Sequence, residues 1–334
     1  MLLKKHTMWK VPAESAALPA PTVGSANPSA SLPALWGYVV PALDHVVRAP
    51  TSTPEKAPAI DLAYRMGIHT AIYNYITAIP DLPTSLSAPS SGKKHQMDST
   101  GTSLYLLLDK YFADLALEVL VGVPEDDTAL IQYLNTSFKR YAVGAHSIDR
   151  LFACVNKHYV KRAIDNDRGW LRLGDMLDTV AESIQKGYTR EQIMQRLKEK
   201  RADELKRWGY EVGGPAEKLT EAELCAEAAS SLDRVVSLEA LALRRFRTEV
   251  VEPLLAAPRM KRNRRRPGAS TTNGRKDNLS KCRLARVLEE SLRVYSGDSE
   301  LKQWGDLAMM LRIVGVKHTH PMRKKLDKFL ATGH

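Results

Sequence analysis

The sequence predicts an all-α fold, an elongated multi-helix bundle followed by charged helices. Three observations lead to this prediction. Apolar residues recur at steps of three and four over several long stretches, which is the spacing of one helix face. Residues 189–192 and 220–223 fit the capping-box pattern that begins many helices. The alternating apolar and polar pattern of a half-buried strand is nearly absent.

The first half of the chain contains an arm and a block of predicted helices. Residues 1–34, rich in Pro, Ala and Ser, are predicted to form a disordered N-terminal arm. A Ser/Pro-rich loop is predicted at 81–101, and the run 126–162 has a nearly continuous apolar stripe that predicts one long helix. The other predicted helices of this block are 35–48, 64–80 and 103–121.

After Gly169 the sequence changes to charged stretches rich in Ala, Leu, Glu and Arg. Helices are predicted near 189–207, 220–233 and 237–256. The predicted division of the chain after the arm is a helical domain at 35–170, a divergent helical region at 171–257, a basic flexible linker at 258–278 and a short helical C-terminal segment at 279–334.

The stretch 64–80, YRMGIHTAIYNYITAIP, carries two faces of one predicted helix. The core-facing set is Tyr64, Ile68, Ala71, Ile72, Tyr75 and Ile79. The neighbouring set is Ala63, Met66, His69, Tyr73 and Thr77. Because Met and Tyr are common at protein interfaces, the second face is a candidate surface for a partner.

Composition restricts the class of protein. The 334 residues include 44% apolar residues, which predicts a mostly globular chain. The net charge of +11 suits a nuclear protein, a nucleic-acid binder or the partner of an acidic protein. Three cysteines far apart in sequence favour a reducing compartment, and we expect a soluble intracellular protein without a signal peptide or membrane span.

No motif predicts catalysis. Neither a glycine-rich phosphate loop nor a GxSxG elbow is present. His318 and His320 form the only close histidine pair, without a carboxylate or cysteine beside it, so we predict no metal site. The acids at 125–127 are interpreted as the start of a helix, where the helix dipole favours negative charge. We therefore predict no catalytic residue, no metal and no cofactor.

Four segments resemble the first N-terminal repeat of cullins, in order and in spacing. They cover about 36–170, and they are WGYVVPALDHVV (36–47), YRMGIHTAIYNYITA (64–78), GTSLYLLLDKYFADL (101–115) and FKRYAVGAHSIDRLFACVNKHYVKRAIDNDRG (138–169). The resemblance implies a five-helix unit of cullin-repeat type within a non-catalytic scaffold of a multisubunit ubiquitin ligase. In that family the second and fifth helices bind an adaptor with a BTB/Skp-like fold.

Carried over by position, the resemblance places the second helix at 61–79 and the fifth at 127–162. The implied adaptor contacts are Ala63, Met66, His69, Tyr73, Cys154 and Lys157. His69, Cys154 and Arg65 stand where the family usually has aromatic residues, which predicts weaker binding of the usual adaptor or the use of a variant adaptor.

Beyond 170 the family's further repeats and its RING-binding and modifier-accepting regions have no visible counterpart. We therefore do not expect a RING subunit to bind this chain alone. An alternative is a truncated, non-assembling cullin paralogue that sequesters adaptors. Another interpretation is that the face of 64–80 packs against the chain's own helices at 237–256.

The basic run at 259–266 leaves a further alternative, a basic helical nucleic-acid-binding protein. The position of the run beside Pro267 and a Gly/Ser/Thr stretch argues against a helix that reads a nucleic-acid groove. A nuclear-localisation signal fits that setting better, and we expect a protein of the nucleus and cytoplasm. The residues of this predicted signal are Lys261, Arg262, Arg264, Arg265 and Arg266.

Overall fold

The fold is known from a computed structural model that describes residues 27–49, 56–77, 92–181, 189–256, 282–293 and 297–332. The regular elements within these ranges are helices, and none of the described residues forms a strand. The predicted all-α class is confirmed.

The chain enters the fold at a short 3-10 turn, Pro28–Ala30, and continues into α1 (Leu32–Arg48). The Ser31 side chain caps α1 by accepting a hydrogen bond from the main-chain N–H of Ala34, at 3.3 Å. This helix begins inside the predicted arm 1–34, whose residues 1–26 lie outside the described ranges.

Helices α2 (Leu62–Thr77) and α3 (Gly92–Val121) follow. Asp61 begins α2 in the usual way, because its carboxylate accepts hydrogen bonds from the N–H groups of Ala63 and Tyr64. Most of the predicted loop 81–101 lies outside the described residues, and its last ten residues, 92–101, belong to α3.

The prediction of one helix across 127–162 is wrong. Helix α4 (Leu130–Leu151) ends at Phe152, whose φ of −101° and ψ of 22° are not helical. The chain then continues through short α and π turns from Ala153 to Arg168, and we call this run, 153–168, α5. The apolar stripe crosses the break unchanged because both helices bury that side, and Phe152 itself is fully buried.

Four helical segments form the middle of the chain, namely α6 (Leu173–Ala181), α7 (Arg190–Lys206), α8 (Ala216–Ala229) and α9 (238–255). The capping box at the start of α7 is confirmed, since Thr189 and Gln192 exchange side-chain to main-chain hydrogen bonds. The one predicted at 220–223 is wrong. Helix α8 begins at Ala216, so Thr220 lies inside it and donates its hydroxyl to the Ala216 carbonyl at 3.0 Å.

The last helices are α10 (Arg283–Arg293), α11 (Asp298–Ile313) and α12 (Pro321–Thr332). They share one hydrophobic core with α1–α5 and α9. Helix α4 lies at the centre of this arrangement, between α1 on one side and α9 and α11 on others. A smaller apolar cluster joins α7 to α8, and it contains Leu205, Trp208, Ala222, Cys225 and Ala226.

Polar contacts also hold the later helices to α4. The Tyr141 hydroxyl on α4 donates to the Ala242 carbonyl of α9 at 2.9 Å. The Asn135 side-chain amide donates to the Gln303 carbonyl of α11 at 2.8 Å. The predicted division at 170 remains a prediction of sequence texture, while the described core is continuous across it.

The basic linker 258–278 lies outside the described residues. Among the helices that are described, none combines the length and the apolar character that a membrane span requires.

Candidate functional site

The outer side of α2 carries a stripe of large apolar side chains in contact with solvent. Leu62, Met66 and Tyr73 are 68%, 56% and 43% exposed. Their spacing of four and then seven residues places them on one face of the helix. His69 lies within the same stripe and is exposed, as is the neighbouring Ala63. The four predicted contact positions of this helix are thus accessible.

Leu62 was missed by the sequence analysis. It precedes Met66 by four residues, and that spacing alone would have placed it on the same face. It is the first residue of α2, where the predicted helix 61–79 also contained it without a role.

The opposite side of α2 fixes the orientation of the exposed stripe. The predicted core residues within the described range, Tyr64, Ile68, Ala71, Ile72 and Tyr75, are buried. The Tyr64 hydroxyl donates to the Tyr38 carbonyl of α1 at 2.7 Å, and the two rings lie 5.4 Å apart. Burial, followed by the nearby Tyr38, raises the pKa of Tyr64 to about 12, so the hydroxyl stays protonated and donates.

On α5 the structure separates the two predicted contact residues. Lys157 is exposed, but Cys154 is only 3% exposed and belongs to the core. The prediction of Cys154 as a surface contact does not fit this position. Residues 154 and 155 face inward because α5 resumes after the break at Phe152 with that side against the core. Burial also raises the pKa of the Cys154 thiol.

The α5 residue in contact with Tyr73 is His158, which the sequence analysis did not name. The rings of Tyr73 and His158 meet edge to face, with centroids 5.5 Å apart and planes at 73°. Through this contact the exposed stripe of α2 is continuous with the surface of α5. We refer to Leu62, Met66, His69, Tyr73, Lys157 and His158 together as the α2–α5 face.

The charged groups nearest this ring contact are basic. The pKa of His158 is lowered, first by burial and then by Lys157, Arg162 and His69. A lowered pKa keeps the imidazole neutral at pH 7, which suits a ring packed against Tyr73. The α2–α5 face is therefore an apolar stripe with cationic groups on its α5 side.

The interpretation that α9 covers this face is wrong. Helix α9 packs against α3, α4 and α8. Met66 and Tyr73 remain exposed in the presence of the later helices that the structure describes.

The remaining acidic and histidine candidates form no catalytic or metal site within the described residues. Asp127 accepts hydrogen bonds from Arg283 and Arg286 at 2.8 and 2.7 Å, and these bonds hold its pKa below the usual range. Asp126 accepts from the Thr128 main-chain N–H. Within the described ranges no three His, Cys, Asp or Glu residues come together as metal ligands. The predicted localisation residues at 261–266 lie outside those ranges.

Comparison with known proteins shows similarity to a cullin. The chain is similar to Cullin-1 of Caenorhabditis elegans, with 24% identity over 124 residues, which is 32% of this chain and 16% of that protein. The chain thus spans less than a fifth of the relative's length. No family model matches the chain, and no solved structure matches it. The similarity and the all-α fold together support a distant cullin-like relationship.

Proposed function

We propose that this chain is a cullin-like, non-catalytic scaffold that binds a BTB/Skp-like adaptor through the α2–α5 face, in ubiquitin-dependent protein degradation. The observation that supports this most is the exposed stripe of Leu62, Met66 and Tyr73 on α2. It lies on the helix whose sequence resembles the adaptor-binding helix of cullins. The similarity to Cullin-1 supports the scaffold class.

The chemistry of the face suits a protein partner. Apolar side chains exposed in a row on a fixed helix lose contact with water when a partner covers them, and this favours association. Tyr is among the residues whose removal most often weakens an interface. Tyr73 already packs edge to face against His158, and a contact of this kind favours the ring orientation that the face presents to a partner.

The position of Cys154 modifies the expectation of weak binding. A buried Cys154 contributes no contact area, whatever stands there in the family. In our proposal the contacts of α5 come from Lys157 and His158, and the imidazole of His158 supplies the ring on that side.

The test uses the whole purified chain and the BTB/Skp-like adaptors of the same organism, with affinity measured by isothermal titration calorimetry. Met66→Asp places a charge within the contact, and Tyr73→Ala removes a ring worth about 1–3 kcal/mol, which is about 5- to 150-fold in affinity. Met309→Asp is the matched control, because Met309 is 60% exposed on α11, a helix in the C-terminal part of the chain.

The expected result is that both α2 variants weaken binding and that Met309→Asp does not. Equal weakening by all three variants would point to a general loss of structure. Failure of every adaptor to bind the unchanged chain would refute the proposal.

The role downstream of adaptor binding divides into two candidates, a working ligase subunit and a protein that sequesters adaptors. The short match to Cullin-1 is the observation that keeps the second in view. We expect that a RING subunit mixed with the purified chain does not co-elute with it in gel filtration.

We also propose a nuclear and cytoplasmic location, directed by the basic run at 259–266. Loss of nuclear signal from a tagged chain with these residues neutralised would support it.

A further inference from the structure

A cleft opens where the end of α1, the segment before α2 and the end of α4 meet. Its volume is about 180 Å³, well above the roughly 10–15 Å³ that a single water requires. The lining residues are Val46, Pro58, Ile60, Arg65, Ser147, Arg150 and Leu151. None of the proposed contacts of the α2–α5 face belongs to this set.

The composition of the cleft is one-sided in charge. Arg65 and Arg150 line it, and no acidic residue among those that the structure describes does so. Both arginines are exposed, and within the described part of the chain neither forms an ion pair or a side-chain hydrogen bond. Most other arginines near the core have such partners, for example Arg140, which donates to the main-chain carbonyls of Val47 and Arg48.

The rest of the cleft is apolar and firmly held. Val46 and Leu151 are buried, and Ile60 packs against the core. The second half of the segment 56–61 is held by two contacts, a hydrogen bond between the His45 ring and the Ala59 carbonyl at 3.1 Å and the Asp61 cap of α2. The cleft therefore combines two free cations and a Ser147 hydroxyl with fixed apolar walls.

We propose that this cleft is a binding pocket for an anionic group, a carboxylate or a phosphate, carried on a short apolar stem. Guanidinium groups recognise both anions through charge-assisted hydrogen bonds, and an anion placed between Arg65 and Arg150 removes the repulsion between them. The stem would contact Val46, Ile60 and Leu151. A bare ion would lack these apolar contacts, and a neutral alkyl group would lack the contacts to the two arginines.

Among the lining residues, Arg65 is the one next to the α2–α5 face in sequence. It stands where cullin sequences usually have an aromatic residue, and it directly precedes Met66 of the α2–α5 face. A protein on that face could place an acidic side chain in the pocket, a role that rests on the proposed function. The pocket itself does not depend on it.

The test is a titration of the whole chain, labelled at Ile, Leu and Val methyl groups, followed by NMR at constant ionic strength. The probes are butyrate, propyl phosphate and the neutral butyramide. We expect saturable shifts of the Ile60 methyl with at least one anion, and affinity about tenfold or more lower for butyramide. The anion that binds more tightly identifies the natural chemistry as carboxylate or phosphate.

Variants assign the effect to the arginines. Arg65→Gln with Arg150→Gln should lower the affinity for the anion about tenfold or more, while Arg293→Gln with Lys317→Gln, which removes the same charge from exposed positions elsewhere, should not. Equal binding of butyramide, or the absence of any Ile60 shift with both anions, would overturn the proposal. Because no adaptor is present, neither result bears on adaptor binding.

Discussion

Tyr105 on α3 supplies a single hydroxyl that holds a distant part of the chain. This hydroxyl accepts a hydrogen bond from the Val236 main-chain N–H at 3.1 Å and donates to the Val236 carbonyl at 3.0 Å. Both residues are buried, and Val236 lies just before α9. The change Tyr105→Phe keeps the ring, with its contact to Tyr159 at 5.2 Å, and removes only the hydroxyl.

The expected loss of stability follows from the two groups left behind. A buried main-chain donor or acceptor without its partner costs about 1–3 kcal/mol. With both polar groups of Val236 affected, we expect the free energy of unfolding to fall by about 2–4 kcal/mol. Such a loss is a large fraction of the usual stability of about 5–15 kcal/mol.

The assay is urea unfolding of the whole chain followed by circular dichroism at pH 7. Tyr133→Phe is the control, because the Tyr133 hydroxyl donates to the Val119 carbonyl at 2.8 Å in a half-buried setting where water can replace it. We expect that control to lose about 1 kcal/mol or less. A Tyr105→Phe variant within about 0.5 kcal/mol of the unchanged chain would show that this joint does not hold α3 to the segment before α9.

Three further outcomes are expected. Gly315→Ala should destabilise the chain by about 2–4 kcal/mol, because φ at this residue is +87° and the new methyl group would lie 2.4 Å from the Ala229 nitrogen. Gly305→Ala, in open space on α11, should stabilise the chain by about 0.5–1 kcal/mol. Thermal unfolding of the two variants tests this pair, and similar melting temperatures would contradict it. The pKa of Asp127 is lowered in the folded chain, so its carboxylate stabilises the fold above the usual aspartate pKa of about 3.9 and ceases to do so as pH falls through the lowered value. The difference in urea midpoint between Asp127→Asn and the unchanged chain should therefore shrink below about pH 4. A difference that stays constant with pH would refute the ion pairs. The thiols of Cys154, Cys225 and Cys282 are buried, and burial raises the pKa of Cys225 to about 11. A thiol reagent at pH 8 should therefore react slowly with the native chain, whereas in urea it should react rapidly with all three cysteines. Rapid reaction of Cys154 in the native chain would place that residue on the surface.

The two faces of α2 could be predicted because helical periodicity is local information. Tyr64, Ile68 and Ile72 are buried, while Met66 and Tyr73 are exposed, as the spacing predicted. The capping box at Thr189 is also a local pattern and was predicted correctly, whereas the same pattern at 220–223 failed because its helix begins earlier, at Ala216.

The identity of the packing partners could not be read from the same pattern. An apolar stripe shows that one side of a helix is covered without showing by what. The sequence therefore did not indicate that α9 and α11 cover α4, or that the break at Phe152 turns Cys154 inward. The contact between Tyr73 and His158 was missed because it depends on that break.

The central position of α4 has a consequence for the synthesis of the chain. Its partner at Ala242 lies 101 residues later in sequence, and its partner at Gln303 lies 168 residues later. At roughly 5–20 residues per second, a ribosome takes about 8–30 s to make the second interval. During that time the side of α4 that α11 will cover remains open to solvent and to other nascent chains. A chaperone that holds apolar helices is expected to bind the unfinished chain in this window and to release it once α11 has docked.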